Sequence, residues 1–139
     1  MVYVRLNNKD FELPLAELYI NDIKNYVHGG VLDFSGFDIE TKYNVVDYLF
    51  GYLSRTFIMT LGDIQDTFPE HKYAPAIGKL RSRMDPVDRM QKYCRENGNT
   101  EKSVEIMCKF MEEMLTLWDA VKEEENNMEN EQTVVGSRW

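Results

Sequence analysis

A chain of 139 residues, 43% hydrophobic and 12% aromatic, fits one domain with a full core and excludes global disorder. Its net charge of −8 argues against nucleic-acid or anionic-membrane binding and fits a basic partner or an uncharged one. No window approaches about eighteen consecutive apolar residues, and MVYVRLNNKDFEL has no apolar signal region, so an intracellular protein with no membrane span is expected.

Val2, Val4 and Leu6 alternate with Tyr3 and Arg5, the period of two that marks a half-buried strand. NNKD suits a four-residue turn, and Phe11 and Leu13 flank Glu12 in a second short strand that Pro14 ends. Leu15, Leu18, Tyr19, Ile23, Tyr26 and Val27 then share a helical face, with His28 suited to cap the helix and Gly29-Gly30 to stop it. VLDF reads as a short third strand.

Asp38 is placed to cap the next helix with its carboxylate. Ile39, Tyr43, Val46, Phe50, Leu53 and Phe57 recur at helical spacing, and Val45, Leu49 and Tyr52 widen the stripe. A stripe this wide belongs to a helix packed on more than one side. Gly51 within it marks close packing or a slight bend. A short helix is expected from Thr60 or Gly62 to Phe68, with another turn opening at Pro75. Asp85-Pro86 has the form of a helix start, and that helix would carry Val87, Met90 and Cys94 on one face before ENGN.

A long final helix starts near Thr100. Val104, Met107, Met111, Met114, Trp118 and Val121 make a heptad-like seam, and Ile106, Phe110 and Leu117 make a second apolar face. One face would pack on the domain and the other on a second copy, giving an antiparallel or offset homodimer. Methionines cluster in this half, suited to filling a core or to an adaptable contact surface. The expected fold is α+β: a mainly helical single domain over residues 1–122, with an N-terminal β-hairpin, a short third strand and a long C-terminal helix. Residues 123–139 form an acidic tail expected to be disordered.

No phosphate loop, HExxH or Cys/His metal spacing occurs, so neither enzymatic activity nor a cofactor or metal is expected. His71 lies in a polar loop, and Cys94 and Cys108 read as reduced, half-buried thiols. Charge is segregated. Residues 72–95 hold seven bases against Asp85 and Asp88, and residues 112–131 hold eight acids against Lys122 alone. Such segments suit two solvated faces, a tail folded over its own basic segment, or head-to-tail pairing with a copy.

VRLNNKDFELPLAEL and VLDFSGFDIETKYNVVDYLFGYL together resemble the front half of a BTB/POZ domain, particularly elongin C-like cullin adaptors and potassium-channel tetramerisation domains. The similarity spans residues 2–57. It implies a non-enzymatic interaction module with Tyr48, Phe50 and Tyr52 near a partner or dimer face. The candidate interface is therefore Tyr48, Phe50, Tyr52, Phe110, Met114, Leu117 and Trp118. The expected function is protein–protein interaction, by an adaptor or a small regulatory or inhibitory protein that binds a larger partner. The alternative is an acidic viral or phage effector that blocks a nucleic-acid-binding protein by phosphate mimicry. Acidity spread over a folded face would favour the mimic, and acidity confined to the tail would favour the adaptor.

Overall fold

In a computed structural model, which describes the backbone of residues 1–136 and the side chains of residues 1–127, the N-terminal alternation folds as a hairpin of β1 (Tyr3–Leu6) and β2 (Lys9–Glu12). Its turn is two residues long rather than four. Asn7 and Asn8 take φ of 50° and 62°, the left-handed pair that matches strand twist and that Asn tolerates. The following helix is shorter than its apolar spacing suggests. α1 (Glu17–Ile23) gives way to a 3-10 turn at Lys24–Tyr26 and then to β3 (Val27–His28).

His28 therefore lies in a strand and caps no helix. Gly29 and Gly30, with φ of 61° and 78°, form the tip of a second hairpin to β4 (Val31–Leu32). The sheet order is β2-β1-β4-β3, with β4 parallel to β1. Its inner face buries Val4, Leu6, Phe11 and Leu32.

α2 (Ile39–Thr67) is unbroken where a second helix was expected to start at Thr60 or Gly62. Asp38 occupies its N-cap position in extended conformation, yet its side chain makes no capping bond. Val46, Leu49, Phe50, Leu53, Phe57 and Leu61 are buried, as the wide stripe requires. Gly51 faces open space, so neither close packing nor crowding accounts for it.

α3 (Ala74–Glu96) is one helix with Pro86 inside it, which corrects the expected start at Asp85-Pro86. An internal Pro costs about 3 kcal/mol, and α3 withstands it because buried Leu80 and Met84 anchor it before Pro86 and buried Gln91 after. Against α2 it packs through two glycines. A Cβ on Gly62 would sit 3.1 Å from the Arg81 guanidinium, and one on Gly78 would sit 2.6 Å from Gln65 Nε2. Gln65 and Arg81 each lie over the other helix's glycine and hydrogen-bond to one another.

Asn97, Gly98 and Asn99 join α3 to α4 (Thr100–Gly136). Gly98, at φ 81°, and Asn99 donate back to the Arg95 and Cys94 carbonyls at 3.1 and 2.8 Å, and Asn99 Oδ1 accepts the Lys102 N–H at 3.2 Å. One short loop thus closes a helix and caps the next. Arg95 ties the same end together, with both carboxylate oxygens of Glu40 at 2.8–2.9 Å and the Tyr43 ring beneath it at 4.2 Å.

The α4 seam turns inward. Val104, Met107, Met111, Met114, Leu115 and Val121 are each at most 3% exposed, packed against α2, α3 and the sheet. The α4 backbone is helical through Gly136, so it differs from the expected tail at 123–139 by carrying regular structure there. Its five glutamates favour helix, and Lys122–Glu125 adds an i,i+3 pair. Residues 137–139 of that expectation lie outside the described residues.

Candidate interaction cleft

The outer face of α4 is the floor of a cleft of about 1740 Å³. From Glu101 to Ala120 the floor runs about 28 Å at the helical rise. One wall is the first half of α3, from Tyr73 to Arg83; the other is the β1–β2 turn with the loop that leads into α2. Cys108, Leu117 and Ala120 on the floor, and Phe37 and Ile39 on the wall, are half-buried and apolar.

Polar contacts fix both walls. Arg5 reaches Asp10 at 2.8 Å and Asp33 at 3.2 Å, and Asp33 also accepts the Ser35 N–H at 3.0 Å. The Ser35 contact, reinforced by Arg5, holds the Asp33 carboxyl below the usual range, while Arg5 does the same for Asp10. Asn7 fastens the turn to α4 by donating to Glu112 at 3.1 Å. On the opposite side Arg83 bonds Glu113 at 2.7 Å and lies over the Phe110 ring. Lys42, Lys79 and Lys109 line the cleft and make no ion pair among the described residues. Burial pushes the Cys108 thiol up to about 11, against a small opposing pull from Lys42. The group is therefore a neutral apolar contact at physiological pH.

Of the seven candidate interface residues, Leu117 alone lines this cleft. Phe50, Phe110 and Met114 are core residues, with the two rings 6.0 Å apart, which removes them from any free surface. Tyr48 and Tyr52 seat α1. Tyr48 donates to Asp22 at 2.8 Å, and burial followed by this bond pushes its hydroxyl up to about 12. Tyr52 accepts the Ala16 N–H at 3.2 Å and donates to the Pro14 carbonyl at 3.3 Å, with the Tyr19 ring 4.1 Å away. Trp118 packs on Phe57 at 5.4 Å, beneath the Lys122 ammonium.

Of the seam residues, Val104, Met107, Met111, Met114 and Val121 are buried within the protomer, so the seam is the face that packs on the domain. The cleft residues Tyr73, Ala76, Lys109 and Ala120 fall between the apolar stripes, and Lys79 stood out only as one of the bases of residues 72–95. Their shared face emerges only once α3 is one helix lying antiparallel to α4. Of the methionines, Met84, Met107, Met111 and Met114 fill the core while Met90 is exposed.

His71 Nδ1 accepts the Tyr73 N–H at 3.0 Å in the α2–α3 turn. Among the described residues, no group of three or more His, Cys, Asp or Glu side chains could hold a metal ion, and no helix is long and apolar enough to cross a membrane. No family model matches the chain, and neither a curated protein nor a solved structure does.

Proposed function

We propose that this chain is a non-enzymatic protein–protein interaction module, an intracellular adaptor or small regulatory protein. Its cleft along α4 would take a segment of a larger protein. The cleft itself carries the proposal. It is long and open, and half-buried apolar groups alternate with charged ones along its floor and walls, as in a recognition groove for a helix or extended segment. The BTB/POZ resemblance points to the same class of function but lies outside the cleft's α3 and α4 residues.

The distribution of charge favours this over phosphate mimicry. Residues 1–122 hold nineteen acids against fifteen bases, whereas residues 123–139 hold five against one. Within residues 1–122, Arg5, Arg81, Arg83, Lys92 and Arg95 each pair with a carboxylate.

The test is affinity capture from a native lysate with wild type and with two variants at exposed cleft positions, Ala76→Arg and Thr116→Arg. A protein retained by wild type and lost from both variants is the expected result. If identical proteins are retained by all three, the cleft is not the docking site.

A further inference from the structure

An occupant of fitting chemistry exists in the chain itself. The pairs Arg83–Glu113 at 2.7 Å and Lys72–Glu124 at 4.0 Å set the antiparallel register of α3 and α4. In that register Lys79 stands level with Leu117, and Ala76 with Ala120. These positions form a furrow of small apolar groups edged by Lys79 and Lys109, which stand exposed and without an ion-pair partner among the described residues, whereas three of the four acids on the same α4 face, Glu105, Glu112 and Glu113, are engaged by Lys102, Asn7 and Arg83.

Beyond Ala120 the same helix becomes acidic, with Glu123, Glu124 and Glu125 followed in sequence by Glu129 and Glu131. Glu124 is already level with Lys72, which precedes the start of α3 at Ala74. From Glu125 to Gly136 the α4 backbone therefore extends past α3 by roughly 17 Å. A continuous helix cannot lay its own extension back on its own earlier face. The furrow and the acidic arm of one chain cannot meet, but those of two chains can.

We propose that two copies pair through α4, antiparallel about a two-fold axis near Ala120, each laying its acidic arm in the α3–α4 furrow of the other. This rests on the cleft being a docking site, as proposed above, and names a second copy as its occupant. With the crossing at Ala120, Glu123 of the second copy stands opposite Leu117 and hence beside Lys79. The backbone of residue 131 of the second copy falls level with Lys109. The small side chain of Ala120 lets the two helices approach where they cross, and the two-fold makes each contact twice.

The test is sedimentation equilibrium of the full chain and of two charge-reversed variants. One carries Lys79→Glu and Lys109→Glu; the other carries Glu123→Lys, Glu124→Lys and Glu125→Lys. Wild type is expected to dimerise and each variant alone to do so about tenfold more weakly or worse. An equimolar mixture should recover a dimer of one of each, since at position 79 both of its furrow–arm contacts are again between opposite charges. The arm variant lowers the net charge from −8 to −2, so relief of general repulsion alone would make it the better dimer. The neutral pair Lys79→Gln and Lys109→Gln, with circular dichroism to verify folding, should fall between wild type and reversal.

A wild type that stays monomeric, a variant that dimerises as well as wild type, or a mixture that recovers nothing each overturns the proposal. Cleft-dependent capture by a monomeric wild type would leave the interaction-module proposal standing while this one falls. A charge swap that works without any captured protein would do the reverse.

Discussion

Gln91 and Ser103 are polar side chains with no solvent exposure, and they bond to each other between α3 and α4 at 2.9 Å. Gln91 also donates to Asp88 at 3.0 Å. Removing one partner should cost more than removing both. Ser103→Ala deletes a neutral hydrogen bond and strands the Gln91 carbonyl oxygen away from water, about 1–2 kcal/mol, less a few tenths for the better helix former. Gln91→Met keeps the volume but strands the Ser103 hydroxyl, also about 1–2 kcal/mol. Asp88 loses little, because it keeps Lys92 at 2.9 Å. The double variant replaces both polar groups with apolar ones of similar shape and should lie within about 1 kcal/mol of wild type. Urea unfolding of the four proteins, followed by far-ultraviolet circular dichroism, gives the coupling directly. A double variant destabilised by the sum of the two singles would refute a dry, mutually dependent pair.

Gly78→Ala should destabilise by about 1–3 kcal/mol, because the new methyl displaces Gln65 from 2.6 Å and breaks its bond to Arg81. Gly51→Ala, in open helical space, should instead stabilise by about 0.5–1 kcal/mol in the same thermal-melt series. Phe50→Ala should cost about 3–5 kcal/mol by denaturant titration, because its ring is buried against Phe110; a melt that barely shifts would place the ring on a surface. An unfolded thiol ionises near 9, whereas folded Cys108 keeps its proton to about 11. Its stabilising contribution is therefore intact below pH 9 and lost as the pH rises to about 11, about 1–3 kcal/mol in all. Urea midpoints for wild type and Cys108→Ala should converge or cross over that range, and parallel pH curves would contradict the burial of the thiol.

How legible each element was in the sequence follows the range of the interaction that decides it. The stripe from Ile39 to Phe57 and the seam from Val104 to Val121 were readable because burial imposes the helical period on every residue. Asn99 closing one helix and opening the next is likewise local. What misled was punctuation. Gly29-Gly30 has one composition whether it stops a helix or turns a hairpin, and Val27 and His28 went to a strand because β4 was there to pair with them. Asp85-Pro86 carries a start signal that burial of Leu80, Met84 and Gln91 overrides. Gly62 looks like a break and is instead the space into which Arg81 of a neighbouring helix fits.

The candidate site was harder to read for a related reason. Surplus aromatic residues on a helix say that something must cover them, but not whether the cover is the same chain. Tyr48 and Tyr52 are covered by α1, whose seven residues are too few to be stable alone and owe their place to those two hydroxyls and the Tyr19 ring. The stripe on α2 and the seam on α4 were in this way absorbed by the protomer, whereas Leu18 and Met90 of the shorter apolar faces stay exposed. What remains free on α4 is a face of small, half-buried and charged side chains, Cys108, Lys109, Thr116, Leu117 and Ala120, that no hydrophobic count singles out. On the proposal that this face docks a second copy, the contact would rest on matching charge along the furrow more than on apolar area, so reversing Lys79 and Lys109 is a sharper probe of that proposal than truncating any aromatic residue.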